Sequence, residues 1–193
     1  VEYGDSKIVE YEYDNVGNRL QMKIFTTEDT EVAEYNYNTD NQLLYYTTNG
    51  SDTVSYSYDA NGNQISETQN LTLNTQNFIY DYDDRLIKIT LNNDTVVAEY
   101  EYGSDWRRIA KIAGAAETKY FYDADDVLTE YDGSNNSIVR YTNNLGIDNI
   151  ISSKRGGTVE YYHKDHLGSI INLTDNSQLS TVNYIYDAFG SIL

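Results

Sequence analysis

The sequence predicts an all-β fold built from antiparallel hairpins stacked as repeats. Three observations carry that reading. Aromatic residues, chiefly tyrosine (21 Tyr against 4 Phe and 1 Trp), recur in pairs two positions apart. Such alternation marks a strand with one packed face and one wet face. Clusters of Asp, Asn and Gly follow the pairs, and these residues close tight turns. No proline occurs in 193 residues, so nothing interrupts a ladder of backbone donors.

Taken in order, Val9, Tyr11 and Tyr13 alternate with Glu10, Glu12 and Asp14. Asn15-Val16-Gly17-Asn18 is turn chemistry, and Leu20, Met22 and Ile24 read as the returning strand. The unit is therefore a β-hairpin. A second copy holds Ala33, Tyr35 and Tyr37, the turn Asn38-Thr39-Asp40-Asn41, then Leu43 and Tyr45. The cleanest copy is Val54, Tyr56 and Tyr58 followed by Asp59-Ala60-Asn61-Gly62-Asn63. Phe78, Tyr80 and Tyr82 read as ring positions before a shortened turn at Asp83-Asp84. Ala98, Tyr100 and Tyr102 lead into Gly103-Ser104-Asp105. The segment 109–118 has good helix formers, but Gly114 interrupts it, and it reads as strand, turn around Ala113-Gly114-Ala115, strand. Tyr120 and Tyr122 precede Asp123-Ala124-Asp125-Asp126, whereas Tyr131 and Tyr141 fit the pattern poorly. Tyr161 and His163, with Asp165, His166 and Gly168, then Tyr184 and Tyr186, with Asp187 and Gly190, close the series.

The second ring position recurs every 20 to 24 residues outside the poorly fitting stretch. A steady period of that size indicates stacked supersecondary units. One hairpin alone is marginal, so stability comes from stacking, with cross-strand ring pairs contributing roughly 0.2–1 kcal/mol each. The whole of residues 1–193 reads as one repeat domain.

Composition narrows the function. The net charge is −18, from 31 acidic and 13 basic residues; such a surface repels phosphate backbones and anionic membranes, which argues against nucleic-acid binding. No cysteine is present, which removes disulfides, thiolate metal sites and cysteine nucleophiles. No apolar run approaches the roughly 20 residues of a membrane-spanning helix, so membrane insertion is not expected. The opening VEYGDSKIVEYEYD lacks the basic and apolar regions of a signal peptide and reads as the interior of a longer protein.

The motif Y-x-Y-D-x-x-G-N stands at Tyr11-Glu12-Tyr13-Asp14-Asn15-Val16-Gly17-Asn18 and at Tyr56-Ser57-Tyr58-Asp59-Ala60-Asn61-Gly62-Asn63. It resembles the YD repeat of the RHS family. Trp106-Arg107-Arg108-Ile109-Ala110-Lys111 resembles that family's late repeats, and His163-Lys164-Asp165-His166-Leu167-Gly168-Ser169, with Tyr186-Asp187-Ala188-Phe189-Gly190 downstream, resembles its core-associated signature, over residues 157–193. The resemblance implies a sheet that spirals into a partial shell or barrel. In bacterial RHS proteins and insecticidal toxin complexes the shell encloses a C-terminal toxin; in teneurins a related shell serves adhesion at the cell surface. The D-P-x-x-G cleavage segment of self-processing members is absent from these residues, so the expectation is a non-enzymatic scaffold without cofactor.

Several residues invite a sharper reading. His163-x-x-His166 with Asp165 has metal-ligand chemistry, but aligning TVEYYHKDHLGSI with TVNYIYDAFGSIL sets His163 in the slot of Tyr186, which favours packing. Asp59-x-Asn61-x-Asn63 has the alternating oxygens of a calcium loop without its twelfth-position glutamate, and capping of its own turn is the stronger reading. Asp83/Asp84 and Asp125/Asp126 are adjacent pairs whose side chains point to opposite faces of a strand, which suits solvated turns better than glycosidase chemistry. The expected role is a structural shell segment of a secreted or surface-exposed bacterial protein. Its expected partners are flanking repeats and a C-terminal effector, with edge-to-edge self-association through unpaired strands. A surface adhesion or glycan-binding module is the alternative, since sugar rings stack on aromatics, and calcium at the acidic turns stays open beside it.

Overall fold

A computed structural model describes the chain except residues 1, 4–6, 27, 93, 147–148, 178–179, 187–189, 191 and 193. Every regular element among the described residues is a β-strand. The chain divides into two compact units, Val1–Glu99 and Tyr100–Leu193.

The first unit contains β1 (Glu2–Tyr3), β2 (Lys7–Tyr13), β3 (Arg19–Phe25), β4 (Thr30–Tyr37), β5 (Leu43–Thr48), β6 (Asp52–Tyr58), β7 (Gln64–Gln69), β8 (Asn74–Tyr80) and β9 (Leu86–Leu91), and β10 (Val96–Tyr102) begins in it. Each strand pairs antiparallel with the next in sequence, from β1 to β10. The second unit contains β11 (Arg108–Ala113), β12 (Ala116–Asp123), β13 (Asp126–Asp132), β14 (Ser137–Asn143), β15 (Ile150–Arg155), β16 (Thr158–Lys164), β17 (Ile170–Asp175) and β18 (Ser180–Asn183). These too pair antiparallel with their sequence neighbours. Each unit is thus an up-and-down meander, as the hairpin pattern requires. The strand–turn–strand reading of 109–118 is met by β11, a turn at Gly114-Ala115 and β12.

The tyrosine-bearing face, here the ring face, holds most of the interior. Val9, Ala33, Ala98 and Val139 are 4%, 3%, 4% and 1% exposed, and each stands two residues before a first ring position. Small side chains occupy these innermost positions because the large rings beside them cover the surface. Thr90, Ala110 and Thr129 are buried on the opposite face.

A β-bulge recurs at the motif end of the hairpins. Glu12 faces Gln21 and Tyr13 faces Arg19, which leaves Leu20 as the extra residue. By the same shift Leu44, Ile65 and Ile87 are the extra residues in the first unit, and Leu128, Ile151 and Ile171 in the second. The inserted residue is aliphatic every time, and it bends the returning strand next to the turn.

Candidate functional site

The joint between one hairpin and the next has the most elaborate side-chain chemistry. It begins in the turn. The Asp59 Oδ1 accepts the backbone N–H groups of Asn61 and Asn63, both at 2.9 Å, and Oδ2 accepts the Asn63 amide at 3.1 Å. Asp14 holds Val16, Asn18 and the Asn18 amide in the same way. Asp81 holds Asp83 and Arg85, and the Arg85 guanidinium closes on Asp81 at 2.7 Å. Asn38 substitutes an amide, accepting the N–H groups of Asp40 and Gln42 and donating to the Gln42 side chain. These bonds hold the carboxyls of Asp59 and Asp81 below the usual carboxylate range, through the Asn63 amide and the Arg85 guanidinium respectively. The turn carboxylates therefore cap their own backbone, the stronger of the two sequence readings at Asp59.

The residue three positions after the Asp carries positive φ. Gly17, Gly62 and Gly168 fill that position at 94°, 94° and 89°, and Asn41, Asp84 and Trp106 fill it at 60°, 60° and 68°. Side chains there become links. Asn61 and Asn63 both donate to the Asp84 Oδ1, at 2.8 and 2.7 Å, and Asn18 donates to the Asn41 Oδ1 at 3.0 Å. Neighbouring turns are so tied edge to edge. At Gly103 the motif's Asp is missing; a Cβ there would come within 2.7 Å of the Asp105 carboxylate, which accepts the Arg107 N–H instead.

The second ring completes the joint. The hydroxyl of Tyr37 donates to the Arg19 carbonyl at 3.1 Å, Tyr58 to Leu43 at 2.9 Å and Tyr80 to Gln64 at 2.9 Å. In the second unit Tyr122 donates to Arg108 at 2.8 Å and Tyr186 to Ile170 at 2.6 Å. Each acceptor is the first strand residue after the preceding motif turn. A single phenol thus buries its ring in its own hairpin and fastens the hairpin before it. The first rings add stacking: Arg19 lies over Tyr35 at 4.4 Å and Tyr11 at 5.9 Å, and Arg108 lies over Tyr120 at 5.2 Å and Tyr100 at 5.4 Å. Burial, then the neighbouring Glu67, pushes the Tyr56 hydroxyl up to about 12.

Several of the sequence assignments change. Tyr82 is not a ring position; it lies in the 81–85 turn, 91% exposed, and Phe78 and Tyr80 are the ring pair. The motif Asp is Asp81, so this turn is of full length, with Asp84 in the glycine place. His163 is not in a tyrosine slot either. Asp165 caps Leu167 and Ser169, which sets Lys164 in the second ring position and Tyr162, rather than Tyr161, in the first. His163 points to the other face, where its Nε2 meets the Thr174 hydroxyl at 2.8 Å. Asp123 does not head a motif turn; it pairs with Asp126 across a two-residue turn. The stretch around Tyr131 and Tyr141 is regular. Asp132 caps Ser134 and Asn136 at the opposite end of the sheet, and Asn143 stands in the second ring position, where its amide donates to the Val127 carbonyl at 3.3 Å. With Asn143 and Lys164 in place the second ring position recurs every 20 to 24 residues without a gap.

Tyr11, Tyr13, Tyr35, Tyr56, Tyr100, Tyr102, Tyr120 and Tyr184 take the ring positions expected of them, and Gly190 has the positive φ of its turn. Asp187 lies outside the described residues. His166 is exposed in the turn that Asp165 caps, and no three His, Asp or Glu side chains converge on one point among the described residues.

No protein-family model matches the chain. Over 190 residues, 97% of its length, it is 31% identical to the tRNA3(Ser)-specific nuclease WapA of Bacillus spizizenii. It is 32% identical over 191 residues to the tRNA nuclease WapA of Bacillus subtilis. The chain spans 8% of the length of each. Among solved structures it is similar to part of the crystal structure of TcdB2-TccC3-Cdc42, with a TM-score of 0.56 and 14% identity, covering 98% of this chain and 12% of that one. That likeness is one of fold. It supports the RHS-like architecture implied by the YD motifs.

Proposed function

We propose that the chain is a shell segment of an RHS-type bacterial toxin protein, secreted or surface-exposed, and that its repeats enclose or present a C-terminal effector. The observation that carries this reading is the tyrosine joint, repeated in both units, which makes each hairpin structurally dependent on its predecessor. Such coupling builds a wall and leaves no hairpin free to act alone. Likeness over 97% of the chain to proteins named as tRNA nucleases supports the toxin context. On this reading any nuclease chemistry belongs to the effector, and the repeats are not catalytic.

The test is limited proteolysis of the full-length protein that contains this segment. The effector is expected to resist cleavage in the wild type and to become accessible when Tyr58 and Tyr80 are both replaced by Ala. An effector equally accessible in both proteins would exclude enclosure.

A further inference from the structure

The face opposite the rings carries charge in both units and balances it differently in each. In the first unit Lys23 lies directly across the ladder from Glu10, and Lys88 from Glu99, whose carboxylate it meets at 2.7 Å. In the second unit Arg140 on β14 lies directly across from Lys154 on β15. Like charges set opposite each other across a ladder are destabilising. Both side chains are exposed, and neither makes an ion pair or side-chain hydrogen bond among the described residues. The chain has 31 acidic and 13 basic residues, yet no carboxylate faces this way from β14–β17. Their two acidic residues, Glu160 and Asp175, lie across from each other on the ring face. Asp123 and Asp126 share the face of Arg140 but sit at the β12–β13 turn and form no ion pair with either cation. Thr142, Ser152, Val159 and Tyr161 are the neighbours on this face of β14–β16. Tyr161 is 44% exposed, and Phe121, in the same cross-strand row as Arg140, is 57% exposed.

We infer that this face of the second unit docks an acidic protein segment. Arg140 and Lys154 stand one strand spacing apart, roughly 4.8 Å. A glutamate or aspartate side chain set between them removes their repulsion and accepts a charge-assisted hydrogen bond from each. The first unit has the same arrangement within itself, since each of its two lysines faces a glutamate; in the second unit the partner supplies the carboxylate. The surroundings favour a protein over a free anion. Arginine beside exposed aromatic and aliphatic surface is the composition of interface centres, and inorganic phosphate would leave Phe121, Val159 and Tyr161 uncovered. A nucleic acid would bring an extended run of phosphates into the field of a chain whose net charge is −18, whereas a short segment with a few carboxylates meets only the local cations. The inference does not depend on the shell reading, because the surface lies within one unit.

The experiment is protein-observed NMR titration of the intact 193-residue chain at low salt. The probe is a capped hexapeptide of alternating glutamate and valine. Its glutamine counterpart, inorganic phosphate and a thymidine hexanucleotide are titrated in parallel. The glutamate peptide is expected to bind saturably, with shifts centred on Arg140, Lys154 and Tyr161, and to weaken as salt is added. Arg140→Gln is expected to weaken binding by more than about tenfold, the equivalent of one charge-assisted bond. Lys154→Glu sets a carboxylate opposite Arg140, as Glu10 stands opposite Lys23. It is expected to abolish peptide binding and, in the free chain, to raise the urea unfolding midpoint, so a loss of binding is not a loss of fold. Lys23→Gln, in the first unit, is expected to leave binding unchanged. Four results each overturn the inference: no saturable binding of the glutamate peptide, equal binding of the glutamine peptide, binding indifferent to Lys154→Glu, or tighter binding of phosphate or the hexanucleotide than of the peptide.

Discussion

Tyr37, Tyr58 and Tyr80 in the first unit fill their joints with a ring and reach the preceding hairpin with the hydroxyl. Across β14–β17 of the second unit, Asn143 and Lys164 keep only the polar half of that arrangement. Asn143 reaches the Val127 carbonyl, and Lys164 reaches the Asn149 side chain at 3.0 Å. The comparison separates two roles that tyrosine combines. The polar link to the preceding hairpin persists with three different side chains, so it is the invariant of the joint. The ring volume is dispensable at these two joints.

The widest expected gap between the two regions is in ring removal. Tyr58→Ala deletes a half-buried ring and its hydrogen bond, and should destabilise the chain by about 2–4 kcal/mol. Asn143→Ala loses one hydrogen bond and should destabilise it by about 1 kcal/mol. Urea unfolding of both variants measures the difference. Equal losses would mean that the ring contributes nothing beyond its hydroxyl.

The turn sharpens the contrast next. Gly62 has φ of 94°, and a Cβ there would meet only the Gln42 amide nitrogen at 3.5 Å. Gly62→Ala should therefore destabilise through backbone strain alone, by about 1–2 kcal/mol. The neighbouring repeat places Asp84 in the same position with φ of 60°, where its carboxylate receives Asn61 and Asn63. Asp84→Gly should consequently not stabilise the chain, despite relieving that strain, because two links between turns are lost. A clear rise in the unfolding midpoint for Asp84→Gly would show that those links are worth less than the strain.

A smaller effect isolates the hydroxyl. Tyr58→Phe keeps the ring and removes the donor to the Leu43 carbonyl. It should lower stability by about 1 kcal/mol with no change in the urea m-value. Differential scanning calorimetry of the same variant should agree in sign. An unchanged midpoint would locate the joint's strength in ring packing alone.

Much of this was legible in the amino-acid order, and the reason for the misses is specific. Alternation identifies strands and their packed face, which is why the strand series and most ring pairs were readable. Alternation cannot say which of Phe78, Tyr80 and Tyr82 ends a strand, since all three satisfy it. The fixed point is the Asp whose carboxylate caps residues two and four positions later. Counting from Asp81 excludes Tyr82, and counting from Asp165 places Lys164, not His163, in the second ring position. The Asn143 joint is hidden in the sequence because it carries no tyrosine, whereas the recurring feature of the geometry is a donor at a given reach. The aliphatic bulge residues, such as Leu20 and Ile65, fall outside strict period-two alternation, and only register reveals them.

The acid response should distinguish motif turns from ordinary acidic surface. The Asp59 carboxyl lies below the usual range because the Asn63 amide and three backbone N–H groups favour its ionised form. A carboxyl with a depressed folded pKa contributes stability above its unfolded value, about 3.9, and loses it as pH falls through the folded value. Asp59→Asn retains an acceptor for the Asn61 and Asn63 N–H groups but cannot titrate. Wild type should be the more stable at neutral pH, and the gap should close in the acid range below pH about 4. The other carboxylates among the 31 acidic residues titrate in both proteins, so their contribution, including relief of self-repulsion, cancels in the difference. Urea midpoints of the two proteins across that range are the measurement. Parallel curves would mean that the Asp59 charge adds nothing to the turn, and that the motif uses aspartate for its shape as an acceptor, the role that Asn38 already fills in the neighbouring hairpin.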